Sequence, residues 1–422
     1  MSDATTLPVA DVKWRGDLYP RIEHDPATVQ KYAADLDVLP PIEVNQHSEI
    51  IDGWHRWMAY RKNEVADIPV TVTPTASDAE FLELAISRNA AHGLQLSQDD
   101  KQAMARRIYH GTADRDRDAT KKRLAKMLSV SERTVRDWLS AIDKDAKAAR
   151  DKRIFGLWLA CHTQDEIAAE VDCDKATVNR VCCEMADLPK CNKPAADHAV
   201  DFETPIYNVW SWAKKAEGIE HYGNSDSRIL DNLLYLYTKP FDVVIDPFAG
   251  GGSTIDVCRK RYRRFLVSDR LPIVEREHEI RKHDLTEGLL KPPQWQDVRL
   301  VYLDPPYWKQ AEGKYSNDPT DLANMPLDEF HKTLAKIVKD YAAKLKTGAK
   351  IALLIQPTQW NAPGHTFTHH VADMHKRIDL PVEMEVSCPY STQQCLPQMV
   401  EWAKAERTLL VINRSLTVWS VQ

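Results

Sequence analysis

The chain has 422 residues and a formal charge of −6. That length suggests two or three domains at roughly 150 residues each, and that charge excludes a uniformly basic nucleic-acid-coating protein. The charge is uneven, however: Lys101 to Arg153 carries 16 Lys/Arg against 8 Asp/Glu, a basic module in an otherwise acidic chain. The eight cysteines contain no CxxC pair, unlike a secreted disulfide framework. Cys161, His162, Cys173, Cys182, Cys183 and Cys191 also lack recognised zinc-ligand spacing, so no metal is expected. Without a signal pattern, and with its longest apolar runs, such as IALLI (351–355), far short of a membrane span, the chain reads as soluble and cytoplasmic.

Residues 1–96 are expected to form a small α+β domain. PPIEVN (40–45) reads as a strand, residues 49–62 as a strand turning into a helix, and DIPVTV (67–72) as another strand. Gly53 permits a tight turn, and His55 and Arg56 at a helix start are candidate contacts for an anion such as a nucleotide phosphate. Arg56 reads equally well as a structural ion-pair residue. Together with Arg21 and ISRNAAHGLQLS (86–97), these features resemble the ParB-like domain of partition proteins, related in fold to sulfiredoxin. Trp54 stands where sulfiredoxins carry their cysteine, so sulfur reduction is not implied.

Residues 97–186 read as helical. Within them LAKMLSVSERTVRDWL (124–139) lies over IAAEVDCDKATVNRVC (167–182), each copy having a small residue in its first helix, a tight polar turn and a second helix opening on hydroxyl and charged side chains. The pattern resembles the helix-turn-helix family, whose second helix enters the major groove of double-stranded DNA. The resemblance implies base contacts by Ser131, Arg133, Thr134 and Arg136 in the first copy, and by Lys175, Thr177, Asn179 and Arg180 in the second. Lys121, Lys122, Arg123 and Lys126 would meet phosphates.

Residues 187–205, rich in proline and small polar residues, are expected to be a linker. From 206 to 422, strands at 241–245, 264–268, 299–303, 350–355 and 407–412 alternate with helices such as 327–346, predicting an α/β domain with a mixed, mostly parallel sheet.

FDVVIDPFAGGGSTIDVCRK (241–260) is a strand ending in an acid, a glycine loop and a helix, the arrangement that binds cofactors at the carboxyl edge of open sheets. Ile255 occupies the third-glycine position of a dinucleotide fingerprint and Ser253 the lysine position of a P-loop, so neither phosphate pattern is met. Acids at Asp246 and Asp269 instead suit a ligand with a cationic head and a ribose diol, both present in S-adenosylmethionine. The loop resembles that of the amino-group DNA methyltransferases, and Asp304-Pro305-Pro306-Tyr307 matches their catalytic tetrapeptide. The resemblance implies a Rossmann-like fold and cofactor contacts from Asn224, Ser225, Asp246, Phe248, Gly250, Gly252, Asp269 and Asp284. An exocyclic amine is a poor nucleophile; hydrogen bonds from it to the Asp304 carboxylate and to the Pro305 carbonyl, whose position the prolines restrict, would favour a pyramidal nitrogen. Tyr307 would stack on a base taken out of the duplex, extended by Trp308, with Tyr390 near by.

The expectation is thus an adenine-N6 DNA methyltransferase whose N-terminal modules select DNA, with a nucleotide as a further candidate ligand of the ParB-like domain. Two alternatives stay open: cytosine-N4 chemistry, and a DNA-binding partition or regulatory protein with an inactive methylase half.

Overall fold

The computed structural model describes residues 5–21, 25–91, 96–187, 190, 193–213, 225–276, 278–359, 367–390 and 395–422. The chain divides into two compact units, Met1–Ala149 and Arg150–Gln422. The division falls inside one helix, Glu132–Leu159, rather than at either end of the expected helical region.

In the first unit, β1 (Thr5–Pro8), β2 (Ile42–Val44), β3 (Ile50–Asp52) and β4 (Asp67–Val72) form a sheet in the order β1-β4-β2-β3. β2 and β4 run parallel and the other two pairings are antiparallel. Ile42, Val44, Ile50, Ile68 and Val70 alternate along these strands, and their buried face packs on Trp57 and Tyr60 of the helix Trp54–Lys62. β1 was not anticipated, since Thr-Thr-Leu-Pro has no alternation to reveal it. A separate core joins Leu82 and Ile86 to Met104, Tyr109, Leu124, Leu128, Val135 and Leu139 of the helices that follow. Of the ParB-like segment 86–97, residues 92–95 lie outside the described residues.

The second unit is built on seven strands: β5 (Val243–Asp246), β6 (Arg264–Asp269), β7 (Arg281–Lys282), β8 (Val298–Leu303), β9 (Lys350–Ile355), β10 (Val382–Ser387) and β11 (Ser415–Ser420). Their order is β10-β11-β9-β8-β5-β6-β7. β11 is antiparallel to both neighbours, whereas β9, β8, β5, β6 and β7 are parallel. Successive residues feed opposite layers: Val243, Ile245, Val301, Leu303, Ile351 and Leu353 enter one core, and Val244, Leu300, Tyr302, Ala352 and Leu354 the other. A sheet covered on both faces needs such continuous apolar runs, which is why these strands were legible.

The expected strand at 407–412 is absent; β11 forms instead at Ser415–Ser420. Leu409 is 82% exposed, so the apolar run RTLLVI has no layer to pack against. β10, with Glu383 and Glu385 among its exposed residues, is an edge strand that does not advertise itself as apolar.

The expected linker is also held down in part. Arg261, fully buried, donates to both oxygens of Asp231 at 2.8 Å and to the carbonyls of Ala195, Val200 and Asp201. His198 contacts Asp231 at 3.0 Å, and Arg263 donates to the Ala196 carbonyl at 2.9 Å. A buried guanidinium must be saturated with acceptors, and this segment supplies them.

Candidate active site

The sheet order places β6 on one side of β5 and β8 on the other, a reversal of winding that opens a crevice at the carboxyl ends of the strands. Three acids stand there: Asp246 and Asp269 are the last residues of β5 and β6, and Asp304 directly follows β8. A cavity of about 650 Å³ lies over them, lined also by Ser225, Phe248, Asp284, Tyr307 and Tyr390.

The glycine loop is organised by two of these acids. Asp246, 2% exposed, accepts from the Phe248 amide at 2.9 Å and the Thr254 hydroxyl at 2.5 Å. Burial pushes its carboxyl up to about 7, and the charges of Asp304 and Asp269 add to this. Asp269 accepts from the Gly250 amide at 3.0 Å and from Leu271 at 2.9 Å, one bond on each oxygen. Each oxygen keeps a lone pair, as a ribose diol would require. Gly252 has φ +77°, and a Cβ there would meet Arg276 Cδ at 2.9 Å; Arg276 needs that closeness to donate to the Gly252 carbonyl at 2.7 Å. Asp284 pairs with Arg270 at 2.9 Å, and Arg270 also reaches Asp318 at 2.6 Å. Asn224 lies outside the described residues.

Around Asp304, Tyr307 donates to Oδ1 at 3.0 Å and Tyr302 to Oδ2 at 3.4 Å. Burial raises the Asp304 carboxyl above its ordinary range, opposed by a hydrogen bond from Ser225, the Arg414 charge and the two tyrosines. Tyr307 therefore lines the cavity with its hydroxyl bonded back to the acid. Trp308 does not extend a stacking platform: it is 7% exposed, and its indole N–H donates to the Met325 carbonyl at 2.8 Å.

Residues 90–272 match the DNA methylase family. The methylase match takes in the glycine loop and Asp269 and ends before Asp304. The acids that end β5 and β6 fit the cationic and ribose groups of S-adenosylmethionine, the cofactor of this methyl-transfer chemistry. No curated protein matches the chain. Among solved structures, a pNOB8-like ParB N-domain shares 12% identity over 45% of this chain and 83% of its own, with TM-score 0.28. The C-terminally truncated ParB of Caulobacter crescentus complexed to parS shares 14% over 45% and 92%, with TM-score 0.24. The mitomycin 7-O-methyltransferase MmcR shares 10% over 71% and 87%, with TM-score 0.25.

The two copies of the helical repeat share their local geometry. Helices Arg117–Met127 and Glu132–Leu159 flank the first turn, and Gln164–Val171 and Lys175–Met185 the second. Ser129 and Asp172, at equivalent positions, both have φ +52°. Val130 then donates to Ala125, and Cys173 to Ala168, each at 3.0 Å. Ser131 and Asp174 cap the second helices through the amides of Thr134 and Thr177. Leu124 and Val135, like Ile167 and Val178, are fully buried.

The copies differ in charge. Residues 117–142 hold seven Lys/Arg and three Asp/Glu, while 160–185 hold two Lys/Arg and six Asp/Glu. In the second copy Arg180 pairs with Glu184 at 2.7 Å and Lys175 with Asp165, and Asn179 is exposed. In the first, Lys122, Arg133 and Lys126 are exposed, and Arg136 pairs with Glu132 and Arg123 with Glu83 at the surface. Lys121 does not serve as an exposed phosphate contact: only 13% of its side chain is exposed, and it pairs with Asp143 at 2.8 Å. Ser131 is spent on its own helix cap, where its hydroxyl also meets that of Thr134.

In the N-terminal sheet domain, Arg56 is committed to structure. It donates to the carbonyls of Pro40 and Pro41 at 3.0 and 2.9 Å and to Asp52 at 2.8 Å. Gly53 has φ +105°, and a Cβ there would lie 2.9 Å from Arg56 Nη2. His55 is buried and accepts from the Asp25 amide at 3.1 Å. Among the described residues no His/Cys/Asp/Glu cluster is arranged to hold a metal, and no helix is long and apolar enough to cross a membrane. Described cysteines are free thiols, with Cys161, Cys182, Cys258 and Cys388 buried.

Sequence reading missed Arg414. It stands before the apolar run of β11, where a lone arginine reads as strand-end solvation, yet it is 3% exposed. Nothing in the sequence relates it to Asp304, 110 positions earlier.

Proposed function

We propose that the protein is an S-adenosylmethionine-dependent DNA methyltransferase acting on the exocyclic N6 of adenine. The observation that carries this reading is the placement of Asp304 after β8, beside the glycine loop after β5, over one cavity. The bound cofactor supplies an electrophilic methyl group. The chain's part is to receive an extruded base, with Asp304 and the Pro305 carbonyl accepting the two amino hydrogens and the aromatic rings of Tyr307 and Tyr390 closing on its faces. Asp269 is assigned to the ribose hydroxyls, Asp284 to the adenine end of the cofactor, and the Asp246–Gly252 loop to its methionine end, next to Asn224 and Ser225.

The first helix-turn-helix copy, with Lys122, Lys126, Arg133 and Arg136, is assigned to DNA. The second copy's acidic balance disfavours a phosphate contact of its own. A nucleotide at Gly53, His55 and Arg56 is the less favoured part of the reading, because Arg56 already satisfies Asp52 and two carbonyls.

The test is incubation of the full chain with methyl-labelled S-adenosylmethionine and mixed-sequence DNA, followed by nucleoside analysis. Label in N6-methyladenine is expected, and Asp304→Ala should remove it while DNA retention persists. Label in N4-methylcytosine reassigns the base; no label from a DNA-retaining protein favours the partition or regulatory alternative.

A further inference from the structure

Arg414 is a buried cation that donates to a backbone carbonyl and to a hydroxyl. Cys388 donates its amide to the Arg414 carbonyl at 2.8 Å, and Tyr390 its amide to that of Ile412 at 2.8 Å. These bonds lay the start of β11 along the segment after β10. They set the guanidinium over the Tyr390 ring, 4.0 Å from its centroid. Nε donates to the Cys388 carbonyl at 3.0 Å and Nη1 to the Ser225 hydroxyl at 2.7 Å. Among the described residues no carboxylate makes an ion pair with it. Such a burial is costly unless the charge acts on something close by.

Donor chemistry identifies what that is. A guanidinium has five donors, no acceptor, and does not deprotonate. Ser225 must therefore accept from Arg414 and is left with its own proton to donate. Asp304 lines the same cavity as Ser225 and is the acid on which that hydroxyl acts.

We propose that Arg414 is a positioning residue that, through Ser225, holds Asp304 as a hydrogen-bond acceptor and presents Tyr390 as a wall of the base pocket. The inference rests on the methyltransferase reading, in which Asp304 must accept from an amine rather than donate to it. Burial works against that role by raising the acid's hold on its proton. Besides burial, the groups facing it are Asp246 from the end of β5, Tyr302 from β8, Tyr307 from its own turn, Cys388 and Tyr390 from the segment after β10 and Arg414 from just before β11. Among these Arg414 is the one cation. It lies over the Tyr390 ring and does not itself line the cavity, whereas Tyr390 does.

The test follows the Asp304 carboxyl by carbon-13 NMR in the full, ligand-free chain labelled at aspartate, its signal assigned by loss in Asp304→Asn. In Arg414→Met the titration midpoint should rise by about one unit or more, the usual effect of losing a close opposite charge. Arg414→Lys should lie nearer wild type, and Ser225→Ala should move part of the way. The acid limb of kcat/KM for methyl transfer should shift with the midpoint. If Arg414→Met does not fold, Ser225→Ala and Arg414→Lys decide. An unmoved midpoint in the folded variants overturns the proposal. A midpoint that moves in the variants while the wild type shows no methyl transfer overturns the functional reading and leaves the role of Arg414 standing; transfer with an unmoved midpoint does the reverse.

Discussion

Tyr307 donates its hydroxyl to Asp304 at 3.0 Å, so two residues to which the proposed function gives separate tasks in base recognition are bonded to each other. The bond makes the acid's acceptor site something the base amine must compete for. Tyr307→Phe keeps the ring and removes the competitor, so methyl transfer should stay within about tenfold of wild type, a span of roughly 1.4 kcal/mol. Tyr307→Ala removes the stacking face and should cost roughly 1–3 kcal/mol of base binding. Steady-state kinetics on the two variants separate these effects; equal losses would show that the ring does not meet the base.

The proton on Asp246 makes opposite predictions for fold and cofactor. Its carboxyl is pushed up to about 7 by burial, so the native state holds a proton that the unfolded chain has released above about pH 4. The resulting contribution to stability is full below that pH and is lost as pH rises through about 7. A cationic cofactor favours the ionised form, so its affinity should rise across the same upper range. Calorimetric titration with S-adenosylmethionine at several pH values checks this, with Asp246→Asn expected to flatten the slope.

Gly252 is held at φ +77° with Arg276 against it. Gly252→Ala should destabilise the second unit by roughly 1–3 kcal/mol through backbone strain, and it should weaken cofactor binding by displacing Arg276 from the loop carbonyl. Denaturant unfolding with and without cofactor measures both. A fully stable variant would show that the loop relaxes without cost.

The opposite charges of the helical repeat predict unequal roles in DNA binding. Lys122→Ala and Arg133→Ala should each weaken binding, and the loss of a phosphate contact should reduce the salt slope of log affinity by about one. Lys175→Ala and Arg180→Ala should leave that slope unchanged, since those cations already face Asp165 and Glu184. Fluorescence anisotropy over a salt series distinguishes the copies.

The central strands β5, β6, β8 and β9 were legible because each is buried on both faces and reads as an unbroken apolar run. The acids at the ends of β5, β6 and β8 were legible because they stand at the carboxyl edge, where open sheets bind ligands. The two helix pairs of the repeat were legible from their aligned residue pattern, and each turn carries a left-handed residue, Ser129 and Asp172. Local pattern was a poor guide where burial is set from a distance. RTLLVI looks like a strand yet has no layer to cover it, and the segment near Ala195 looks like a linker yet saturates a buried arginine. Which cations are free is likewise tertiary: Lys121 and Arg56 resemble their neighbours in sequence and differ in having acids folded onto them. Arg414 is the extreme case. Sequence determined that Asp304 stands rigidly at a strand end; only folding decided that a cation from the start of the last strand lies behind Ser225 to act on it, because electrostatic environment depends on distance in space and not along the chain.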